Sequence, residues 1–305
     1  ASSMPMTTAS GLRVRVGLPH FFRESESSRG YGSSRRGSRL PRGLALHRCL
    51  EGLLNLARQP QDLMLDIRRN GLRPLAPLGP SPPELPPLEL DIHVFTDGQH
   101  RLEEVLDLFR GRIQVHSIAL EDPRQLPLVC RDQLIQMDPC PDLCLYSEDD
   151  LVIHDPLFFD KQSWFLRAGQ SRAVLMPHRY ELIPGQGGRR LLPDGPLTQE
   201  VIEAFYKPLE GAAGGNFLNR QVVFDRPPNP HSGMFCIDAA QVQQLRHSSL
   251  PTRGFFSPLE TAATYTVMQH FPVLKPALAQ RDFHWVEHAH PSFLIDLNQW
   301  PICPA

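Results

Sequence analysis

Between residues 90 and 147 the chain alternates apolar β-type runs with segments of helical periodicity, an order that few folds accept. Residues 90–96 read as a strand, 102–109 as a short helix, 113–118 as a strand, 127–137 as a helix and 143–146 as a buried strand. Strands alternating with helices in this way form a mostly parallel sheet covered on both faces. Upstream, residues 12–17 alternate like a first strand. Residues 44–57 then carry Leu46, Leu50, Leu53, Leu54 and Ala57 at helical spacing. The expected fold is α/β, with ligands at the carboxyl ends of the strands.

The second half is less regular. Residues 173–176 and 233–237 read as strands and 198–206 as a helix. Asp238 caps a further helix, and 258–270 is another, with Ser257 as cap and Pro258 in its first position. The glycine-rich residues 211–215 read as a flexible turn, and Gly185 to Gly188 as a loop. Residues 23–42, with Arg29, Arg35, Arg36, Arg39 and Arg42, read as a mobile loop that closes on phosphates or is simply solvated. Seven prolines in residues 72–87 mark a stiff surface connection. The expected organisation is a tail over residues 1–10 and one domain over 11–305. Within it, two halves are expected, about 11–155 and about 156–305.

Composition narrows the function classes. A formal net charge of −2 provides no basic field, and the arginines form one local cluster, so nucleic acid is excluded as a partner. The six cysteines lack a pair of CxxC motifs and are expected as free thiols. No run approaches the ~20 apolar residues of a membrane span. The expectation is a cytoplasmic protein, at most peripheral at a membrane.

The stretch that carries chemistry is Glu148-Asp149-Asp150, three carboxylates directly after the apolar strand at 143–146. Adjacent carboxylates repel one another unless positive charge sits beside them. A Mg²⁺ or Mn²⁺ ion with a diphosphate meets that need, because both are hard cations that prefer oxygen ligands.

In this motif and the order of its elements, over about residues 12 to 290, the chain resembles GT-A glycosyltransferases, with Glu148-Asp149-Asp150 standing as an ExD variant of their DxD motif. The resemblance implies a single GT-A-like domain with a Rossmann-like nucleotide-binding half over about 11–155 and an acceptor-binding half over about 156–305. It also implies a metal-dependent, hexosyltransferase-like enzyme that moves a sugar from a nucleoside-diphosphate sugar (UDP or GDP type) to a hydroxyl acceptor such as a sugar or glycoconjugate. By the same resemblance Asp150 binds the metal, Glu148 the donor ribose or a metal-bound water, and Asp149 lies near the transferred sugar. Leu18, Pro19 and Asp97 cradle the nucleoside, and Arg131, with Asp132, contacts the base or ribose. A late histidine returns to the metal, His288 ahead of His290 and His284. Ser232 and Gly233 face the sugar and acceptor.

Transfer with inversion needs a base opposite the leaving diphosphate. Glu260 is the candidate and Asp225 a weaker one; with neither, the reaction is retaining. Tyr180, Phe217, Phe255, Phe256 and Trp285 are candidate sugar-stacking aromatics. Two other readings stand beside this one: a metal-dependent nucleotidyltransferase, and a carbohydrate- or partner-binding protein of the same fold without turnover.

Overall fold

The computed structural model describes residues 11–26, 34–58, 62–76, 85–182, 189–205, 213–293 and 301–304. Arg29 and the loop from Gly185 to Gly188 lie outside these residues.

The first half supplies β1 (Leu12–Pro19), α1 (Arg39–Leu54), a hairpin of β2 (Leu63–Asp66) and β3 (Gly71–Pro74), β4 (Leu88–Thr96), α2 (Glu103–Leu106), β5 (Gln114–Ser117), α3 (Leu126–Gln136), β6 (Leu143–Ser147) and β7 (Leu151–Val152). The second half supplies α4 (Phe158–Ala168), β8 (Val174–Leu175), β9 (His178–Leu182), β10 (Arg190–Leu191), α5 (Gln199–Phe205), β11 (Ala213–Phe217), β12 (Arg220–Asp225), β13 (Met234–Asp238) and α6 (Ala239–Arg246). After these come α7 (Pro258–Glu260), α8 (Thr266–Met268), β14 (Val273–Pro276) and β15 (Trp285–His288). A π-helical turn over Thr261–Tyr265 joins α7 to α8.

The central sheet has the order β13-β6-β1-β4-β5. Its first-half strands run parallel, and β13 alone is antiparallel, against β6. This is the mostly parallel α/β sheet expected from the alternation of strands and helices. Because β13 comes from the second half, the sheet crosses the expected division near residue 155. Both faces of β1 are buried. Val14, Val16 and Leu18 join Leu46, Leu50 and Leu53 of α1 in one core cluster. On the opposite face Leu134 of α3 lies so close to Gly17 that a Cβ there would stand 2.9 Å from its Cδ2, so the residue facing α3 has no side chain. A second core cluster joins Leu134 and Ile135 to Cys144, Tyr146 and Phe95.

Three local expectations change. Residues 39–42 are the first turn of α1 rather than mobile loop, because Arg42 falls one turn before Leu46 and two before Leu50, on the buried stripe. Residues 213–215 belong to β11, paired with β12, so the glycines there serve a hairpin: a Cβ on Gly215 would meet the Trp164 ring at 2.7 Å. Residues 72–74 of the proline-rich connection belong to β3 and pair with β2 as a hairpin.

The parallel strands place His20, Asp97 and Glu148-Asp149-Asp150 along one edge, at the carboxyl ends of β1, β4 and β6. Since α1 holds Arg42 against that edge, its apolar stripe also serves the site. Leu50→Ala should lower stability by about 2–5 kcal/mol, the usual cost of truncating a fully buried leucine; urea unfolding measures it.

Candidate active site

The three carboxylates leave β6 in different directions, and each meets a cation from a different element. Asp149 turns toward α1. The Arg42 guanidinium donates to both of its oxygens, at 3.0 and 2.9 Å. His20, the residue after β1, reaches the same carboxylate at 2.6 Å from Nδ1. Its Nε2 accepts the Leu102 backbone N–H at 3.0 Å, which leaves the Nδ1 proton for Asp149. Burial alone would raise the pKa of Asp149; Arg42 and the His20 hydrogen bond outweigh it and hold it below the ordinary carboxylate range.

Asp150 faces the last strand. The β7–β15 pairing sets His288 opposite Leu151, and the imidazole Nε2 lies 3.2 Å from Asp150 Oδ2. On its other side, His288 Nδ1 is 2.7 Å from Glu181 Oε1. The register explains this contact: β15 runs parallel to β9 with Glu287 opposite Tyr180, so His288 and Glu181 are the next pair along. Burial pulls the pKa of His288 down, but Asp150 and Glu181 prevail and raise it to about 9. Burial raises that of Asp150, yet His288, Arg42 and Arg179 drive it far below its usual value. Asp150 Oδ1 is buried with no hydrogen-bond partner among the described residues.

Glu148 faces a third group. Arg179 stands two residues before Glu181 on β9, on the same face. It is gripped by Asp194 through two bonds of 2.8 and 2.6 Å and extends Nη1 to 3.4 Å from Glu148 Oε2. Burial is the larger influence here: with help from Asp150 and Glu260 it raises the pKa of Glu148 to about 7 against the pull of Arg179 and His288. The backbone N–H of Glu148 donates to the Gly233 carbonyl at 2.9 Å. Gly233 has φ +69°, and a Cβ on it would fall 2.7 Å from Glu148 Oε2, so only glycine leaves room for that carboxylate. Behind it His231 is kept unprotonated, its pKa pushed down to about 3 mainly by burial and then by Arg179. Buried Lys275 donates to the His231 carbonyl at 2.6 Å.

Glu260 stands in the first turn of α7, half-buried, and is near enough to contribute to the raised pKa of Glu148. Its Oε2 accepts the backbone N–H of Ser257 at 3.0 Å and the Ser257 hydroxyl, which fixes the side chain. The preceding Phe255 and Phe256 both have positive φ, 53° and 71°. Non-glycine residues in this region store strain and cluster at functional sites. Phe255 is buried, whereas the Phe256 side chain beside it is 68% exposed.

The other expected site residues fall as follows. Leu18 and Pro19 end β1 beside the cluster, and both are buried. The Asp97 carboxylate is engaged by the His100 ring at 2.6 Å and by the backbone N–H groups of Gln99 and His100. Ser232 is fully buried, its hydroxyl donating to the Met234 carbonyl at 3.2 Å. Arg131 does not reach the strand ends: it is buried, and its guanidinium is spent on Asp132, the Pro251 carbonyl and Thr266, so it ties α3 to α8. Asp225 lies exposed at the end of β12, in another sheet. His284 sits in the core, stacked on Phe158 at 4.4 Å, and His290 is buried two residues beyond His288. Among the aromatics, Phe217 packs on Trp164, and Tyr180 and Trp285 pack together at a tilt of 55° beneath Arg190. The sequence reading missed His20, Arg179, Glu181 and Asp194. Arg179 and Glu181 carried a signal, as charged residues two apart in a short β-type run.

Among the described residues, no group of three or more His, Cys, Asp or Glu side chains is disposed to hold a metal. Once His288 gives up its Nε2 proton, Asp150 and His288 fit a divalent cation that keeps most of its ligands from water and phosphate, as Mg²⁺ does. Asp150 has an unsatisfied buried oxygen, and Glu181 holds the far nitrogen of His288, the usual outer support of a ligating histidine. All six cysteines are unbridged, and burial pushes the Cys144 thiol up to about 12.

No protein-family model matches the chain, and no curated protein matches it. Among solved structures it is similar to residues 1–349 of S. aureus TarS, with 11% identity, a TM-score of 0.43 and coverage of 94% of this chain and 64% of that one. For TarS 1–349 in complex with UDP the values are 12%, 0.46, 90% and 60%. For GalNAc-T7 with UDP, GalNAc and Mn²⁺ they are 13%, 0.44, 91% and 43%. The chain thus spans less than two thirds of the length of these structures.

The raised pKa values carry a pH signature in metal-free protein. A group whose folded pKa exceeds its unfolded one contributes stability that is lost as pH rises through the folded value. Stability should therefore fall from about pH 4.5 to 7 through Glu148, and from about 6.5 to 9 through His288. Each loss should be on the order of 1–3 kcal/mol. Urea midpoints measured with EDTA across this range test it; His288→Gln should abolish the upper window and, because His288 also holds the Glu148 pKa down, move the lower one to higher pH.

Proposed function

We propose that the chain is a metal-assisted glycosyltransferase that takes a sugar from a nucleoside diphosphate and passes it to a hydroxyl acceptor with inversion. The observation that carries this reading is the delivery of His288 by the last strand onto Asp150, in a carboxylate cluster that Glu260 approaches from another element. Asp150 and His288 would hold Mn²⁺ or Mg²⁺ together with the donor diphosphate. Such a cation offsets the negative charge that develops on the leaving group.

The chain's own residues do the rest. Glu181 holds Nδ1 of His288, so that Nε2 is presented toward Asp150. Arg42 and His20 clamp Asp149, which keeps the loop after β6 in one conformation. Arg179, anchored by Asp194, faces Glu148 and sets the local potential. Glu260 takes the proton of the acceptor hydroxyl as its oxygen bonds the anomeric carbon and the bond to the diphosphate breaks. Phe256, exposed beside Ser257, offers a ring for the acceptor. Leu18, Pro19 and Asp97 border the nucleoside, and Gly233 leaves space beside Glu148.

A binding protein without turnover is the second reading. It is favoured by the pairing of both Asp149 oxygens inside the protein, which neutralises part of the cluster without any ligand.

Calorimetric titration with UDP and with GDP, each with and without Mn²⁺, is the primary test. Micromolar, metal-dependent binding that disappears in Asp150→Ala is expected, and failure of both nucleotides with Mn²⁺ and with Mg²⁺ refutes the donor site. Glu260→Gln separates the two readings. It should lower turnover of the donor sugar by about 10²–10⁴-fold, the usual worth of a general base, while nucleotide affinity stays unchanged.

A further inference from the structure

Among the described residues the β2–β3 hairpin pairs with no other strand, and its two faces differ sharply. Residues directly opposite each other share a face, and faces alternate along each strand. One face therefore carries the pairs Met64–Arg73 and Asp66–Gly71. It is closed on itself, with Asp66 between Arg69 and Arg73 at 3.9 and 3.8 Å and an Arg73 nitrogen 3.5 Å from the Met64 sulfur. The other face carries Leu63–Pro74 and Leu65–Leu72, with Ile67 following at the turn, and contains no polar side chain. Leu65 is 65% exposed, Leu72 67% and Ile67 83%. A lone two-stranded hairpin is at best marginally stable in water, and an uncovered apolar face adds to that cost.

We propose that this face docks on an anionic lipid surface, with Ile67 at the leading edge and Arg68 and Arg69 at the headgroups. Charge complementarity selects this occupant. The protein as a whole is net negative at −2, yet hairpin residues 62–76 carry three arginines, Arg68, Arg69 and Arg73, against two carboxylates, Asp62 and Asp66. Two of those arginines, Arg68 and Arg69, directly follow Ile67, with Arg69 also 3.9 Å from Asp66. Apolar side chains that enter the acyl boundary while neighbouring arginines reach lipid phosphates are the usual composition of an interfacial anchor. Within the described residues no helix is long and apolar enough to cross a membrane. The rival occupant is a second copy of the chain.

The test is co-sedimentation of the full chain with vesicles of phosphatidylcholine alone and of phosphatidylcholine with phosphatidylglycerol. Wild type should pellet with the anionic vesicles and be released by salt. The double variant L65E/L72E should bind at least tenfold more weakly, with its urea midpoint unchanged because the hairpin stands outside both core clusters. The double variant R68E/R69E should lose the preference for anionic over neutral vesicles. Three outcomes would overturn the proposal: no pelleting of wild type with anionic vesicles, equal pelleting of L65E/L72E, or a concentration-dependent dimer that L65E/L72E dissolves. The last would assign the face to a second copy.

Discussion

Three consecutive carboxylates taken out of water would drive their own segment apart, and the structure depends on the cations brought to them. Arg42 is the central one. It reaches Asp149 at 2.9 Å and Asp150 at 3.5 Å, so a single guanidinium bridges two of the three acids. Buried charges are tolerated when they are paired and hydrogen-bonded, and removing one partner costs far more than the pair contributes. Arg42 reaches the acids because its helix packs against β1 through Leu46 and Leu50, and β1 lies beside β6. Apolar packing thus sets the geometry in which the charges meet.

A second compensation comes from the C-terminal part of the chain. The small sheet β10-β9-β15-β7 aligns Arg179, Glu181 and His288 on one face, directed at Glu148 and Asp150. With Asp194 behind Arg179, two runs alternate in sign, Asp194–Arg179–Glu148 and Asp150–His288–Glu181. Alternation of this kind lets so many ionisable groups share a dry volume. It also splits the three acids chemically. Asp149 and Asp150 are held ionised, while Glu148, with the weakest cation contact, rises to about 7. Neighbouring carboxylates whose environments push their pKa values apart are a recurrent feature of catalytic sites.

The elements of the central sheet were legible because each has a strong local period. The runs that became β1, β4, β5, β6, α3 and β13 show it, and so does the Ser257-Pro258-Glu260 opening of α7, where Ser257 and Glu260 form a reciprocal capping box. The motif at 148–150 and its place at a strand end were legible for the same reason. Arg42 was read only within a loop that closes on phosphates or is solvated, because its segment is basic and rich in serine and glycine; its spacing to Leu46 and Leu50 was the overlooked signal. Arg131 misled in the opposite direction. A polar residue on the helix before the acidic strand suggested a ligand contact, but burial of its side chain directs it to Thr266 and the Pro251 carbonyl.

By itself the sequence determined the raw material of the central sheet: which runs become its strands, which edge they end on, and that three acids stand at that edge. These follow from periodicities of 2 and 3.6 residues, which are local properties of the chain. Tertiary structure alone decided which charge answers which acid. His20, Arg42, Arg179 and His288 lie between 31 and 138 positions from their acidic partners. Strand register and helix packing bring them together, and no local pattern encodes contacts made across such separations.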